Sequence, residues 1–408
     1  MSTDWFDIAN ANITPLFKTK YRDFLDNRFN ESTPLLNMIK RDTTMSGNSQ
    51  RHLVKRADSG GFRAGGVPQA SDSDYEQTNY TGLLAMAKGR IDLTTIDLSR
   101  DGGKGATGAF AKASAEVVLN LRAMFHRNMA RMLMGDATAA LGTIAGAGVT
   151  DNGGGSYTLE ITDATFIRNH FRRSELLNVG TDTTSKFRVT SVSMLRDNKV
   201  TVLRLDGAVV PVAADILYRQ DSKDLEWTGL ANVLPATSGS LYGCTVGDGF
   251  QSIQHDADGA PLDAKTLIEV YYRIVEESDS APKVLVMDYT QYIKLVKLGE
   301  DLKFILSDHS MTGPNNKLGN MPHVMIEGKN LPILVDTLCP PGVVMMLNTD
   351  RIVWESAGKG EFVKGDNGFL HYKGITGEDI YEMFYRTFGQ FFIDPKSQGY
   401  IYDLSVEL

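Results

Sequence analysis

The sequence GKGATG, Gly103 to Gly108, is the sharpest candidate for a chemical site in this chain of 408 residues. Glycines at this spacing let a loop place a dinucleotide phosphate on a helix N-terminus. Such a site also needs a buried strand before it and an acidic residue about 20 positions later. No Asp or Glu lies between Val117 and Gly135, and the preceding TTIDLSRDG is polar. We interpret the segment as a glycine-rich hinge before a helix and keep a nucleotide-binding enzyme as an alternative of a different class.

The other side chains that could do chemistry do not form a recognisable site. The seven histidines never fall at the i, i+4 spacing of a helical metal pair, and Cys244 and Cys339 lie far apart with no nearby base. The acidic segments HDADG (His255 to Gly259) and SDSD (Ser71 to Asp74) lack the later bidentate Glu of a calcium loop. Solvated loops are the interpretation and weak calcium binding the alternative. We predict no catalytic residue, no cofactor and no metal.

Composition narrows the class of protein further. The length predicts two or three domains, and the 42% hydrophobic content is enough to form their cores. A net charge of −8 argues against a dedicated nucleic-acid binder, which needs a cationic surface. The polar start Ser2-Thr3-Asp4 carries no signal sequence, and no apolar run approaches the ~20 residues of a membrane span. We therefore expect a soluble protein made in the cytoplasm, without a membrane partner.

The first forty residues predict an amphipathic arm. In TPLFKTKYRDFLDNRF, Thr14 is a plausible N-cap, Pro15 occupies the first helical position, and Phe17, Tyr21 and Phe24 lie on one helical face. These aromatic groups are candidate contacts with another chain, because a terminal segment needs fewer of them to pack on its own body. A first helix on the chain's own core is the alternative.

Residues 50–99 predict a long hairpin with a tip rich in Gly, Ser, Asp and Gln. Its two legs are expected at His52 to Lys55 and at Asn79 to Met86, and loops this long inside a compact domain are usually functional or disordered. Basic side chains lie near one leg and are candidate contacts with acidic surface on a neighbouring copy: Arg51, Lys55, Arg56 and Arg63.

The rest of the chain alternates between strong helical and strong extended patterns. Apolar residues recur at helical spacing from about Thr107 to Met134, which predicts one long helix that ends at Gly135. Residues 141–220 alternate apolar and polar side chains between turns, which predicts a small antiparallel β domain. Helices are then expected at Ala264 to Glu277 and Thr290 to Leu298, and strands from Met321 to the end, including the strand, turn and strand of PPGVVMMLNTDRIVW.

This order of parts resembles the major capsid protein of tailed double-stranded DNA bacteriophages, whose fold is shared with encapsulins and herpesvirus capsid proteins. The passage from Ala85 to Asp136 is similar to the family's step from an extended loop into its spine helix. The late NLPILVDTLCPPGVVMMLNTDRIVW is similar to the family's strand, turn and second strand. The resemblance implies an α+β fold with an arm, an extended loop, a spine helix with a peripheral-domain sheet and an axial domain. Residues 141–220 are extra and are interpreted as an inserted β domain.

The resemblance also implies a layout of six parts. They are 1–49 as the N-terminal arm, 50–99 as the extended loop hairpin, 100–140 as the spine helix of the peripheral domain, 141–225 as the inserted β-rich domain, 226–345 as the axial α/β domain, and 346–408 as C-terminal strands returning to the peripheral domain.

The implied function is structural and not enzymatic. The chain is expected to self-assemble as pentamers and hexamers into an icosahedral shell that encloses viral double-stranded DNA in the virion, after assembly in the host cytoplasm. Implied partners are further copies of itself, scaffolding, portal and decoration proteins, and packaged DNA by weak non-specific contact. An encapsulin-like nanocompartment shell, which would hold a cargo enzyme instead of DNA, is the second alternative.

Overall fold

The computed structural model describes most of the chain in several ranges. They are residues 34–45, 47, 49–57, 74–92, 105–162, 165–193, 197–247, 249–302, 323–326, 329–358, 360–363, 371–375 and 378–406. None of the helices in these ranges has the length and apolar character that crossing a membrane requires. The same ranges contain no group of three or more His, Cys, Asp or Glu side chains arranged to hold a metal ion.

The described ranges contain helices and strands that we number in chain order. The helices are α1 (Pro34–Met38), α2 (Gly105–Met134), α3 (Leu230–Val233), α4 (Ala264–Ser278) and α5 (Tyr289–Leu302). The strands are β1 (Lys40–Asp42), β2 (Ser49–Gln50), β3 (Leu53–Ala57), β4 (Asp74–Gln77), β5 (Tyr80–Thr81), β6 (Leu83–Asp92), β7 (Ala140–Gly153), β8 (Ser156–Ile161), β9 (Leu176–Val179), β10 (Asp182–Val192), β11 (Lys199–Asp206), β12 (Ile216–Arg219), β13 (Ser240–Leu241), β14 (Cys244–Thr245), β15 (Ile253–Asp256), β16 (Val284–Met287), β17 (His323–Ile326), β18 (Lys329–Val335), β19 (Val344–Leu347), β20 (Ile352–Ser356), β21 (Glu361–Phe362), β22 (His371–Ile375), β23 (Glu378–Ile393) and β24 (Gly399–Tyr402).

The long helix α2 is present as predicted, with a start two residues earlier than Thr107. Apolar side chains spaced three and four residues apart, such as Leu121, Phe125 and Met129, bury one face of the helix in the largest core. The helix ends at Gly135, whose backbone N–H donates to the carbonyl of Met132. In the GKGATG segment, residues from Gly105 onward are helical, and the two residues before them lie outside the described ranges.

The first sheet is organised around β23, which has 16 residues and spans about 53 Å at the usual rise per residue. The sheet runs β1-β20-β23-β21, and β6 and β22 also pair with β23. The predicted hairpin forms with its second leg displaced, because β2 pairs with β5 and β3 pairs with β4, both antiparallel. The later part of the expected second leg belongs to β6, which instead pairs over ten residues with β23, from Leu83 opposite Gly389 to Asp92 opposite Ile380. β6 pairs with β23 because β23, with 16 residues, offers a longer ladder of backbone hydrogen bonds than the five-residue β3 does.

Strands β7 to β12 close into a six-stranded barrel in the order β10-β11-β8-β7-β12-β9. Its interior is filled by a separate apolar cluster, which includes Leu159, Leu177, Phe187 and Val202, each no more than 1% exposed. The barrel begins a few residues after α2 ends, so it is attached to the end of that helix.

The second sheet is mixed and runs β15-β24-β19-β16-β18-β17, with α4 and α5 supplying apolar side chains to its core. Both helices lie where the sequence predicted them. Two features differ from the expected layout. First, the domain boundary expected between residues 345 and 346 falls inside β19. Second, β24 was expected beside α2 but pairs with β15 and β19 in this sheet.

The segment PPGVVMMLNTDRIVW joins the two sheets. Its first strand, β19, is fully buried in the second sheet, and its second strand, β20, lies in the first. The turn between them is fixed by the buried Asn348, whose side-chain amide donates to Ser280 Oγ at 2.7 Å and whose backbone N–H donates to Gln398 Oε1 at 2.8 Å. This turn therefore sets the position of one sheet against the other.

Candidate intersubunit surface

The residues predicted to contact a neighbouring copy fall into two groups in the structure. Phe17, Tyr21, Phe24 and Arg63 lie outside the described residues. Arg51 is exposed just before β3, and Lys55 and Arg56 lie within β3. The three described cations therefore share one extended segment, and their contact with a second copy stays a prediction.

The base of this segment is fastened to the first sheet by a buried carboxylate. Glu355 of β20 is 2% exposed, and its Oε1 lies 2.5 Å from Nε2 of His52. The hydroxyl of Tyr80 donates to the other carboxylate oxygen of Glu355, and the same hydroxyl is 3.1 Å from His52 Nε2. A buried charge is costly unless it is paired and hydrogen-bonded. Glu355 therefore fixes His52 and Tyr80, which lie on the two segments that enter and leave the extended loop. We call His52, Tyr80 and Glu355 the loop joint.

Rings and backbone hydrogen bonds complete the loop joint. The His52 ring stacks on Phe392 of β23 with 4.1 Å between centroids. The backbone N–H groups of Thr78 and Asn79 donate to the carbonyls of His52 and Tyr242, at 2.9 and 2.7 Å. Burial, and then the bond to Glu355, raises the pKa of Tyr80 above its ordinary range. The hydroxyl therefore stays protonated and acts as a donor.

Large apolar side chains are exposed on the strands that leave the loop joint. Leu53 is 70% exposed, and Leu84 and Met86 of β6 are 54% and 56% exposed. Leu84 and Met86 alternate along β6 with the partly buried Leu83 and Ala85, so one face of β6 points away from the core. We call β3 and β6 together the ribbon. Sequence reasoning missed this face, although the alternation in LLAMAK was visible. Adjacent exposed apolar residues of this kind mark an interaction surface.

Helix α2 is held against the first sheet by a second set of rings. The indole of Trp354 lies 6.5 Å from the ring of His126, and the guanidinium of Arg41 lies 4.3 Å from the indole centroid. Burial, followed by the charges of Arg41 and Arg122, lowers the pKa of His126 to about 4. His126 is therefore neutral at physiological pH, and its contact with Trp354, together with the contact of Arg41 with the same indole, joins α2, β1 and β20.

Comparison with known proteins gives structural neighbours but no sequence relatives. No protein-family model and no curated protein matches the chain. The cyanophage A-1(L) capsid asymmetric unit matches with a TM-score of 0.53 at 10% identity, over 92% of this chain and 93% of that chain. The holo-SrpI encapsulin complex from Synechococcus elongatus PCC 7942 matches with a TM-score of 0.45 at 9% identity, over 92% of this chain and 89% of that chain.

The match to the cyanophage capsid chain extends over nearly all of both chains, whereas the identity of 10% is too low to transfer more than architecture. The match therefore concerns the overall fold of this chain. This chain has the α+β fold of a phage capsid protein, as the resemblance in its sequence predicted.

Proposed function

We propose that this chain is a shell-forming structural protein, the major capsid protein of a tailed double-stranded DNA phage. The observation that carries the proposal is the set of exposed apolar side chains on the ribbon, Leu53, Leu84 and Met86, in a chain with a phage capsid fold whose extended loop is fastened by the loop joint. A ribbon with buried anchoring and exposed apolar side chains is suited to cover a neighbouring copy.

Assembly follows from many modest contacts. Each copy offers the ribbon to one neighbour and receives a ribbon from another, which is a heterologous contact that closes into rings. Closure of pentamers and hexamers into an icosahedral shell makes the particle stable even when a single contact is weak. Arg51, Lys55 and Arg56 on the same segment add salt-sensitive steering of one copy onto the next.

The barrel of β7 to β12 is proposed as a domain inserted into the shell-forming body. It has its own apolar core, and the chain enters it after α2 and leaves it before Trp227, which is 1% exposed in the core of the body. The shell is proposed to enclose viral DNA by weak non-specific contact in the virion. Scaffolding, portal and decoration proteins are its proposed partners.

Electron microscopy of the expressed full chain tests the proposal directly. We expect closed shells from the expressed chain. Shells isolated from infected cells should in addition protect double-stranded DNA from nuclease. Shells that hold a cargo enzyme and no DNA would favour an encapsulin-like nanocompartment instead. A chain that stays monomeric at high concentration, with or without a scaffold, would contradict the proposal.

A matched pair of variants tests the role of the ribbon. Leu84→Ser with Met86→Ser removes two exposed apolar groups, so we expect a folded subunit with fewer shells or none. Leu205→Ser is the control, because Leu205 is 48% exposed on the barrel and away from the ribbon. Equal shell yield from both variants would exclude the ribbon as the contact.

A further inference from the structure

A cleft of about 730 Å³ lies where α2, β6 and the near end of the barrel meet. Its charged lining consists of six cationic and three acidic side chains: Lys88, Arg127, Arg131, Arg172, Arg173 and Arg219, with Glu175, Asp221 and Glu226. The lining thus carries an excess of three positive charges in a protein whose net charge is −8. The cleft shares Leu84 and Met86 with the ribbon, whereas its charged lining has no part in the proposed ribbon contact.

Some of these charges are paired within the subunit. Arg131, which is 7% exposed, donates to Glu226, and Arg219 donates to both Glu175 and Asn128. The Nε of Arg131 is buried and has no hydrogen-bond partner among the described residues. Two acidic residues of the lining, Glu226 and Glu175, are thus paired, although Glu175 Oε2 has no hydrogen-bond partner among the described residues, and Asp221 accepts from the side chain of Gln220. The bond from Arg219 to Asn128 joins the barrel to α2.

Two further guanidinium groups have no such partner. Within the described part of the chain, neither Arg127 nor Arg172 has an ion pair or a hydrogen bond to an acidic side chain. Burial, and then the charge of Arg172, lowers the pKa of Arg127, so the two cations repel each other across the cleft. Both groups line the same cleft, and guanidinium groups that are not paired with a carboxylate favour an anion with several oxygens, because each fork can bind two of them.

The edge of the cleft is apolar and open to solvent. Leu84, Met86 and Leu225 line it and are 54%, 56% and 65% exposed. Inorganic phosphate would leave these side chains in water, whereas a ligand with an apolar or aromatic body would cover them. The volume is also within the range of pockets that hold small organic ligands.

We propose that this cleft binds a phosphate ester with an aromatic body, the chemical class of a nucleotide. Arg127 and Arg172 hold the phosphate, Arg173 adds charge at the entrance, and the base lies against Leu84 and Met86. The ligand is either a free nucleotide or one unit of a single-stranded nucleic acid. A duplex is not expected to bind here, since its bases are stacked and paired inside the helix.

Calorimetric titration of the full chain with small probes tests the site. We expect adenosine monophosphate to bind more tightly than inorganic phosphate, and adenosine alone not to bind. A single-stranded oligodeoxyadenylate that binds as well as the mononucleotide assigns the natural source to a strand, and one that fails to bind assigns it to a free nucleotide. Equal affinity for phosphate and nucleotide, or binding of an acidic peptide and no nucleotide, would overturn the proposal.

Variants locate the binding to the cleft. Arg127→Ala and Arg172→Ala should each weaken nucleotide binding roughly tenfold or more, as expected for loss of a charged hydrogen bond. Arg188→Ala is the matched control, because Arg188 is exposed on β10 and does not line the cleft. If Arg188→Ala weakens binding as much as the two cleft variants do, the binding is non-specific and the site is wrong. Melting curves without ligand check that all three variants are folded.

Met86→Ser separates the two halves of the proposed ligand. It should reduce the affinity for adenosine monophosphate but leave the affinity for inorganic phosphate unchanged, because only the base contacts Met86. A loss of affinity for both probes would mean that the apolar edge does not select the body of the ligand. Because all these measurements use unassembled protein, their outcome is independent of whether the chain forms shells.

Discussion

Replacing Tyr80 by phenylalanine tests whether the loop joint holds the extended loop on the first sheet. The change removes one hydroxyl that donates to the buried carboxylate of Glu355 and lies 3.1 Å from His52 Nε2. A hydrogen bond to a charged group contributes about 1.5–3 kcal/mol, and the carboxylate left behind keeps only its bond to His52. We therefore expect the free energy of unfolding of the unassembled subunit to fall by about 2 kcal/mol.

Urea denaturation measures the change in free energy, and native-state hydrogen exchange locates it. The amides of Thr78 and Asn79 should exchange faster in the variant, because their acceptors, the carbonyls of His52 and Tyr242, belong to the loop joint and its support. Amides in the buried strand β16 exchange only through global unfolding. Their exchange should therefore rise by no more than the measured loss in the free energy of unfolding.

Tyr271→Phe is the matched control for this prediction. Tyr271 is 5% exposed, and its hydroxyl has no hydrogen bond to a described residue, so we expect a change within about 0.5 kcal/mol. The reasoning would be refuted if Tyr80→Phe cost no more than Tyr271→Phe, or if the lost stability appeared in β16 and left Thr78 and Asn79 unchanged.

Three further predictions follow from packing, titration and domain structure. In urea denaturation, Gly229→Ala should destabilise the chain by about 1–3 kcal/mol, because a Cβ there would lie 2.2 Å from the carbonyl oxygen of Met132. Gly146→Ala is the control and should be near neutral, because a Cβ at Gly146 would have no atom within 4 Å. Stability should fall as pH drops from about 6.5 towards 4, because burial lowers the pKa of His126 to about 4 in the folded chain. His126 should contribute up to about 3 kcal/mol of this loss, and His170, whose pKa burial lowers to about 3, should add to it. The loss should therefore shrink in His126→Asn without vanishing, and a pH profile unchanged by that variant would contradict the assignment. Residues 138–222 expressed alone should unfold cooperatively with a β-type circular dichroism spectrum, because the barrel core is separate; a random-coil spectrum would show that the barrel needs the body.

The elements that depend on local pattern were predictable from sequence. The helical repeat from Thr107 to Met134 predicts α2 almost to the residue, since the apolar period and Gly135 act within the segment itself. The capsid fold was expected from the resemblance of the order of segments to the capsid family, and not from a motif. The absence of an acidic residue between Val117 and Gly135 already argued against a dinucleotide site at GKGATG.

Pairing between distant segments was not predictable from sequence. β6 was expected to pair with the nearby leg around His52, but it pairs with β23, about 300 positions away. Alternation in β6 indicates a strand and two faces, yet it does not identify the neighbouring strand. For the same reason, the end of the chain was expected beside α2, whereas β24 lies in the second sheet.

The sequence by itself determined the type of each long element and the acidic balance, because these depend on short-range periodicity and composition. The expectation of a structural role came from the resemblance of the order of parts to phage capsid proteins. Only the tertiary structure decided which charges meet. Glu355 is one of two polar residues in a short strand when read in sequence, and His52 is about 300 positions before it, but in the fold they form a pair on the buried carboxylate. The same holds for Arg127 and Arg172, which come from a helix and from the barrel and share one cleft. Charges act through space, so their partners and their effect are set by the packing of distant segments.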